Sequence, residues 1–159
     1  MRGGVCTRDA LARIDPPSAD RCRYDAHVEA LDKLVRVTAE LGRPRTLEAN
    51  LQAVTDVSLS LLGADHASIR VCDAEARLRS LARSGVGSTG PAPEFRKGQG
   101  LMGWAVQQGR PVRVSDSPSD ERFAPTPNRG YAVRSVMSLP LLAGERVLGA
   151  FSVSAAAKA

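Results

Sequence analysis

Residues 98–151 read GQGLMGWAVQQGRPVRVSDSPSDERFAPTPNRGYAVRSVMSLPLLAGERVLGAF, and the changes of period along them decide the fold. From Leu101 to Gln108 the pattern is that of a short helix, opened by glycines and stopped by Gly109, which suits the left-handed position after a helix end. Pro111-Val112-Arg113-Val114 is a short strand with proline at its first position, where a missing N–H is tolerated. Ser115–Asn128 is polar, and its opening SDSPSDERF holds N-cap candidates for a short helical turn. Ser135–Leu142 and Arg146–Ser154 then alternate with period two and fold back across Ala143-Gly144-Glu145 as a hairpin. Around the polar loop these elements would wall a pocket, and the stretch carries none of the usual tools of catalysis.

Working outward, a helical pattern begins at Asp25, an N-cap candidate. Val28, Leu31, Leu34, Val35 and Leu41 recur at spacings of three and four until Gly42 and Pro44 stop it. Thr46 starts a second helix, with Leu47, Leu51, Val54, Leu61 and Leu62 on one side and Gly63 at its end. The two helices either form an antiparallel pair, or the first projects to pair with another subunit. After Gly63 the period becomes two: Ala67, Ile69 and Val71 face one way, and the turn Asp73-Ala74-Glu75-Ala76 leads into a second strand over 77–83. Gly85–Gly100 is a loop rich in Gly, Pro and Ser. Antiparallel hairpins with helices kept outside them predict an α+β sandwich of sheet and helices.

Residues 1–24 lack sustained periodicity, carry Pro16-Pro17 and five arginines, and read as a poorly ordered basic tail. That leaves 25–159 as a single domain, which is what 159 residues allow. A hydrophobic share of 43% with 25% charged residues is the balance of a globular chain. No apolar run approaches the length of a membrane span, and the N-terminus has no apolar core of a secretory signal. A cytoplasmic protein, or a cytoplasmic piece of a larger one, is the expectation. The net charge of +5 is spread without a dense basic stripe, and aromatic residues are only 4%, so no specific nucleic-acid surface is expected. Cys6, Cys22 and Cys72 are odd in number and have no CxxC spacing, against a disulfide framework and against zinc.

In order and spacing, four segments resemble a GAF domain, the small-molecule-binding and dimerising sensory module of bacterial signalling proteins. They are Gly98–Val106, Gly109-Arg110-Pro111-Val112, Ser115-Asp116 with Asp120, Arg122 and Phe123, and Val133–Leu141 with Val147-Leu148-Gly149. The resemblance covers about residues 26–154. It implies a central antiparallel sheet of five or six strands. Two N-terminal helices would lie on one face, and a short helix and loop over a ligand pocket on the other. The family serves many ends, so membership leaves the ligand open. Its cyclic-nucleotide binders carry an Asn-Lys, Phe, Asp-Glu signature after the last strand, where this chain has Ser152-Val153-Ser154-Ala155-Ala156. Bilin binders use a cysteine often followed by histidine, and neither His27 nor His66 follows one. Free methionine sulfoxide reductases of this fold use cysteines in a region where this chain has none. Members usually run on into a further helix and an output domain, so the expectation is either a stand-alone domain or a segment of a longer protein, the latter with an output domain or signalling partner.

No catalytic triad or metal set is visible, and an enzyme is not expected. The binding candidates are Trp104, Asp116, Arg122, Phe123, Tyr131, Ser138 and Ala150. Trp104 either covers a ligand or fills the core; Asp116 either caps the loop or meets ligand. Arg122 either holds an anion bidentately or is a surface arginine. Phe123 pins the loop, and Ser138 with small neighbours leaves room on a pocket-facing strand or faces solvent. The helix carrying Val28, Leu31, Leu34 and Val35 is the candidate dimer contact. The functional expectation is therefore a cytoplasmic sensory module that binds an unknown small molecule between the sheet and the 115–128 loop, forms a homodimer, or does both. No cofactor is identifiable. The alternatives are a dimerisation module with a vestigial, empty pocket and a small thiol or redox enzyme.

Overall fold

The Thr46 side chain accepts from the Ala49 backbone N–H at 3.2 Å, and this cap starts α1, Leu47–Leu62. Gly63 ends it in the left-handed conformation, with φ of 58°. The computed structural model describes residues 28–29, 31–35, 38–39, 42, 46–124 and 131–156. The residues read as a basic tail, the cap at Asp25 and the stop at Pro44 lie outside these, as do residues 125–128 of the polar loop. Within the first expected helix, residues 28–29, 31–35 and 38–39 are helical.

Five strands follow: β1 His66–Cys72, β2 Leu78–Gly85, β3 Val112–Val114, β4 Val133–Ala143 and β5 Arg146–Ala156. Between β2 and β3 lies the helix α2, Gly100–Gln108, and between β3 and β4 a 3₁₀ turn at Ser117–Ser119. The strands form one antiparallel sheet in the order β2-β1-β5-β4-β3. The α+β architecture expected from the sequence is the one observed. Pro140 sits opposite Ala150 in β4, beyond the reach of β3, which pairs only with Val136, Met137 and Ser138. There β4 is an outer strand, and a residue without an N–H costs no ladder bond.

The two faces of the sheet are built differently. Ala67 and Ile69 of β1 are buried on the face that α1 covers. Here Gln52 donates its amide to the Arg83 carbonyl at 3.0 Å and to Ser84 Oγ at 2.8 Å. Thr55, fully buried, donates to the Gln52 carbonyl at 2.8 Å and accepts from Ser84 Oγ at 2.6 Å. The opposite face meets α2. At one end Met102 and Val106 pack with Leu78, Phe95 and Ala150, and toward the β3 edge Leu101 and Ala105 pack with Val112, Val133 and Val136.

A bulge in β2 shapes this second face. Ile69 pairs with Ala82 but Arg70 pairs with Ser80, so Leu81 is the extra residue. The shift leaves Leu78 and Ser80 on the α2 face while sending Ala82 and Ser84 to α1. It also brings Arg83 to the α2 face opposite Ser68.

Gly149 is required where β5 passes β1. A β-carbon there would fall on the Arg70 carbonyl oxygen and lie 2.7 Å from Val71 Cα. Gly149→Ala should therefore cost at least about 2 kcal/mol through overpacking of the backbone. Gly144, with φ of 60° and open space around it, should lose only about 1 kcal/mol on the same change, from backbone conformation alone. Thermal denaturation of the two variants checks the order.

Candidate functional site

Along β5, the side chains facing α2 change character from one end to the other. Val147 and Ala150 pack into the cluster of Leu78, Phe95, Met102 and Val106. Ser152 and Ser154 come next on the same face, and there the sheet meets empty space instead of helix. A cavity of about 350 Å³ lies over them, between the sheet, the 87–95 loop and the start of α2. Its lining from the strands is polar: His66, Ser68 and Arg70 from β1, Arg83 from β2, Ser138 from β4, and the two β5 serines. Small hydroxyl side chains leave room where larger apolar ones would have met the helix.

The hydroxyls are arranged. Ser138 and Ser152 Oγ lie 2.8 Å apart in a cross-strand hydrogen bond, and Ser154 Oγ lies 2.7 Å from the Tyr131 hydroxyl. Ser152 also donates to the Met137 carbonyl at 3.2 Å. His66 Nδ1 lies 2.8 Å from the Val86 carbonyl oxygen at the head of the loop.

Two arginines fasten the loop. Arg70 is 3% exposed and donates from Nη1 to the carbonyls of Pro93 at 2.7 Å and Leu78 at 3.3 Å. Its guanidinium lies 5.0 Å from the centre of the Phe95 ring, within cation–π range. Arg83 donates to the carbonyls of Gly87 and Gly90. The loop then returns to the sheet edge, where Leu78 N–H bonds the Phe95 carbonyl at 2.8 Å and Lys97 N–H the Ala76 carbonyl at 2.9 Å.

The glycines before α2 let this loop run tightly against the helix. Gly98 and Gly100 have φ of 85° and 66°, and Gly98 N–H bonds the Gly103 carbonyl at 2.9 Å. A β-carbon on Gly103 would fall on the Arg96 carbonyl oxygen. The first turn of α2 thereby presents Gly100, Leu101 and Met102 to the cavity. Among the described residues, no group of three or more His, Cys, Asp or Glu side chains could hold a metal ion.

A family model described as GAF domain matches residues 44–159. The chain belongs to the GAF domain family. Among solved structures it is similar to the GAF domain of a phosphoenolpyruvate-protein phosphotransferase from Coxiella burnetii, at 22% identity and a TM-score of 0.73, over 81% of this chain and 79% of that one. It is also similar to the A. aeolicus nlh2 GAF domain in an inactive state, at 22% identity and a TM-score of 0.71, over 84% and 83%. A free methionine-R-sulfoxide reductase from Neisseria meningitidis, solved with its substrate, shares the fold at 19% identity and a TM-score of 0.69, over 82% and 75%. No curated protein matches the chain in sequence.

In this GAF domain, two of the seven sequence candidates line the cavity: Phe123 and Ser138. Tyr131 touches it through the bond to Ser154. Ala150 is fully buried in the core beneath α2. Trp104 packs against the cluster of Leu101, Ala105 and Val112. The Arg122 guanidinium lies over the indole, 4.8 Å from the ring centre, and is gripped by Asp120 at 2.6 Å. Asp116 pairs with Arg134 at 3.2 Å and accepts from Ser119 at 3.0 Å, so it organises the 3₁₀ turn. The cavity also sits nearer the 85–100 loop than the sequence suggested, with Phe123 and Ala124 at its margin. The polar strand residues that line the cavity and that the sequence does not single out are His66, Ser68, Arg70, Arg83, Ser152 and Ser154. Cys72, in contrast, packs beside the apolar cluster and does not line the cavity. Burial pushes its thiol pKa up, only partly offset by Lys97.

The Asp120–Arg122 pair gives this segment a pH dependence. The Arg122 guanidinium bond and the Arg122 backbone N–H hold the Asp120 carboxyl down to about 2, against the opposing effect of partial burial. A carboxylate depressed in the fold adds stability above its unfolded value of 3.8, and that contribution is lost as the pH falls toward 2. Carbon-detected NMR titration should give Asp120 a midpoint near 2, and Asp120→Asn should remove the pH dependence of the Arg122 side-chain signals below pH 4.

Proposed function

We propose that this GAF domain is a cytoplasmic regulatory module of a signalling protein and binds a small molecule in the cavity over β1, β5 and β4. The observation that carries the proposal is the half-empty sheet face, with α2 packed on Val147 and Ala150 and a 350 Å³ space over Ser152 and Ser154. Ser138, Ser152 and Ser154 are each held by a protein partner and keep further lone pairs that a polar ligand would meet. Occupation would tie the 87–95 loop, the start of α2 and the Phe123 segment together. It would thereby bias the packing of the helices toward whatever partner reads the signal.

The likeness to free methionine-R-sulfoxide reductases is a likeness of fold. Cys72, the one cysteine among the described residues, has a thiol held protonated and set apart from the cavity. A thiol mechanism needs the thiolate, so the regulatory role is the better supported. No helix among the described residues is long and apolar enough to cross a membrane.

A second role has an observation of its own. Val28, Leu31, Leu34 and Val35 are helical and 47%, 60%, 48% and 65% exposed, which suits a helix–helix contact between two copies. Replacing Leu31 and Leu34 by glutamate should convert a dimer to a monomer in analytical ultracentrifugation. A wild-type chain that already sediments as a monomer removes this role.

For the cavity, native mass spectrometry of the purified chain should recover a bound small molecule, and hydrogen exchange should slow at residues 87–103 when it is restored. Ala92→Trp puts an indole into the cavity from a half-buried loop position and should abolish both effects while leaving the far-UV circular dichroism unchanged. No recovered compound, and no metabolite that alters exchange in this segment, would overturn the proposal.

A further inference from the structure

Fitting a ligand to the cavity is a question of charge as well as space. Among the described residues, two arginines and a histidine line it, with a threonine and four serines, and no acidic side chain. The arginines are not there by accident of the surface. Arg70 is nearly inaccessible, and the β2 bulge at Leu81 is what brings Arg83 to the cavity face. Both are held by backbone carbonyls of the same loop, Gly87 and Gly90 for Arg83 and Pro93 for Arg70. The carbonyl oxygens of Gly87 and Gly90 orient the Arg83 guanidinium without cancelling its charge. Arg83 has no carboxylate partner among the described residues, and two of its five N–H donors are used on the loop. The N-terminal turn of α2, which lines the opposite wall at Gly100, Leu101 and Met102, adds the positive end of the helix dipole.

We infer that the ligand is a small organic anion whose carboxylate or phosphate group meets Arg83 and the edge of Arg70, with hydroxyl or carbonyl groups along Ser68, Ser138, Ser152 and Ser154. The volume fits about ten water-sized groups, so the whole ligand is of metabolite size. The inference rests on the cavity being the ligand site. An anion on Arg83 draws on the same side chain that fastens Gly87 and Gly90, so binding and loop order are coupled through one residue.

The test uses the intact chain at low ionic strength with inorganic phosphate, succinate and, as a neutral control, glycerol. Calorimetry should show saturable binding of phosphate or succinate but not glycerol, and which anion binds distinguishes a phosphate from a carboxylate ligand. Arg83→Gln keeps hydrogen-bonding capacity without charge and should weaken binding about tenfold, as loss of one charge-assisted bond implies. Arg83→Glu should abolish it. Arg83 is only half-buried, and the amide signals of α1 verify that both variants remain folded. Anion binding unchanged in Arg83→Gln and Arg83→Glu overturns the inference. Failure of both anions, with a neutral compound recovered from the protein and lost in Ala92→Trp, overturns the anion class while leaving the ligand site standing. Failure of both anions with nothing recovered overturns the two together.

Discussion

The pairing of β1 with β5 is the contact on which the rest of the domain depends. It joins strands more than seventy residues apart and places each hairpin beside the other, with β2 and β3 as the outer edges. The approach is close enough at Arg70 and Val71 that only glycine fits at position 149. A pairing this remote carries a large loop-closure cost. It is reinforced at its end, where Asp65 bonds both the Ser154 carbonyl through its N–H at 3.0 Å and the Ala156 N–H through its carboxylate at 2.7 Å. Once β1 and β5 are in register, Ser68, Arg70, Ser152 and Ser154 share one surface, and the cavity floor exists before any helix is placed over it.

Helix α2 then divides that surface. It is nine residues long, too short to cover the whole face, and the loop before it packs closely against it at Gly98 and Gly103. Apolar residues lie where the helix reaches and hydroxyl or cationic residues where it does not. The arginine-pinned loop closes the remaining side. Space is kept open here by backbone geometry and short side chains, a more robust device than a void among large ones, which would tend to collapse.

The fold was legible in the sequence because it follows from period and punctuation. Thr46, Gly63 and Gly109 mark helix ends, and alternation in 66–72 and 146–154 marks strands. The cavity was harder to see for the same reason. In an alternating strand the polar set is read as solvent-facing, so Ser68 and Arg70 fell on the side opposite Ala67 and Ile69 and drew no attention. The sheet in fact has two covered faces, and the polar set lies beneath a loop. Arg83 was hidden further by the bulge at Leu81, since a strict period of two assigns it to the other face. Ser138 draws attention in the sequence because its neighbours are small, and it lines the cavity. For Arg122 the sequence leaves two readings, an anion contact or a paired surface arginine, and only the structure shows Asp120, two residues away, gripping it over Trp104.

The character of the serines bears on what kind of site this is. A hydroxyl becomes a nucleophile when a base takes its proton, and the base must lie within hydrogen-bond reach. Among the described residues, Ser138 and Ser152 bond each other, Ser152 bonds a carbonyl, and Ser154 bonds the Tyr131 phenol. His66 turns Nδ1 to the Val86 carbonyl. Hydroxyls bonded to one another and to a carbonyl are held in fixed directions. The arginines contribute in the same manner, as charges positioned by carbonyl oxygens. A ligand would meet directions and charge set in advance, and the loop that supplies those carbonyls is the element its arrival would tighten.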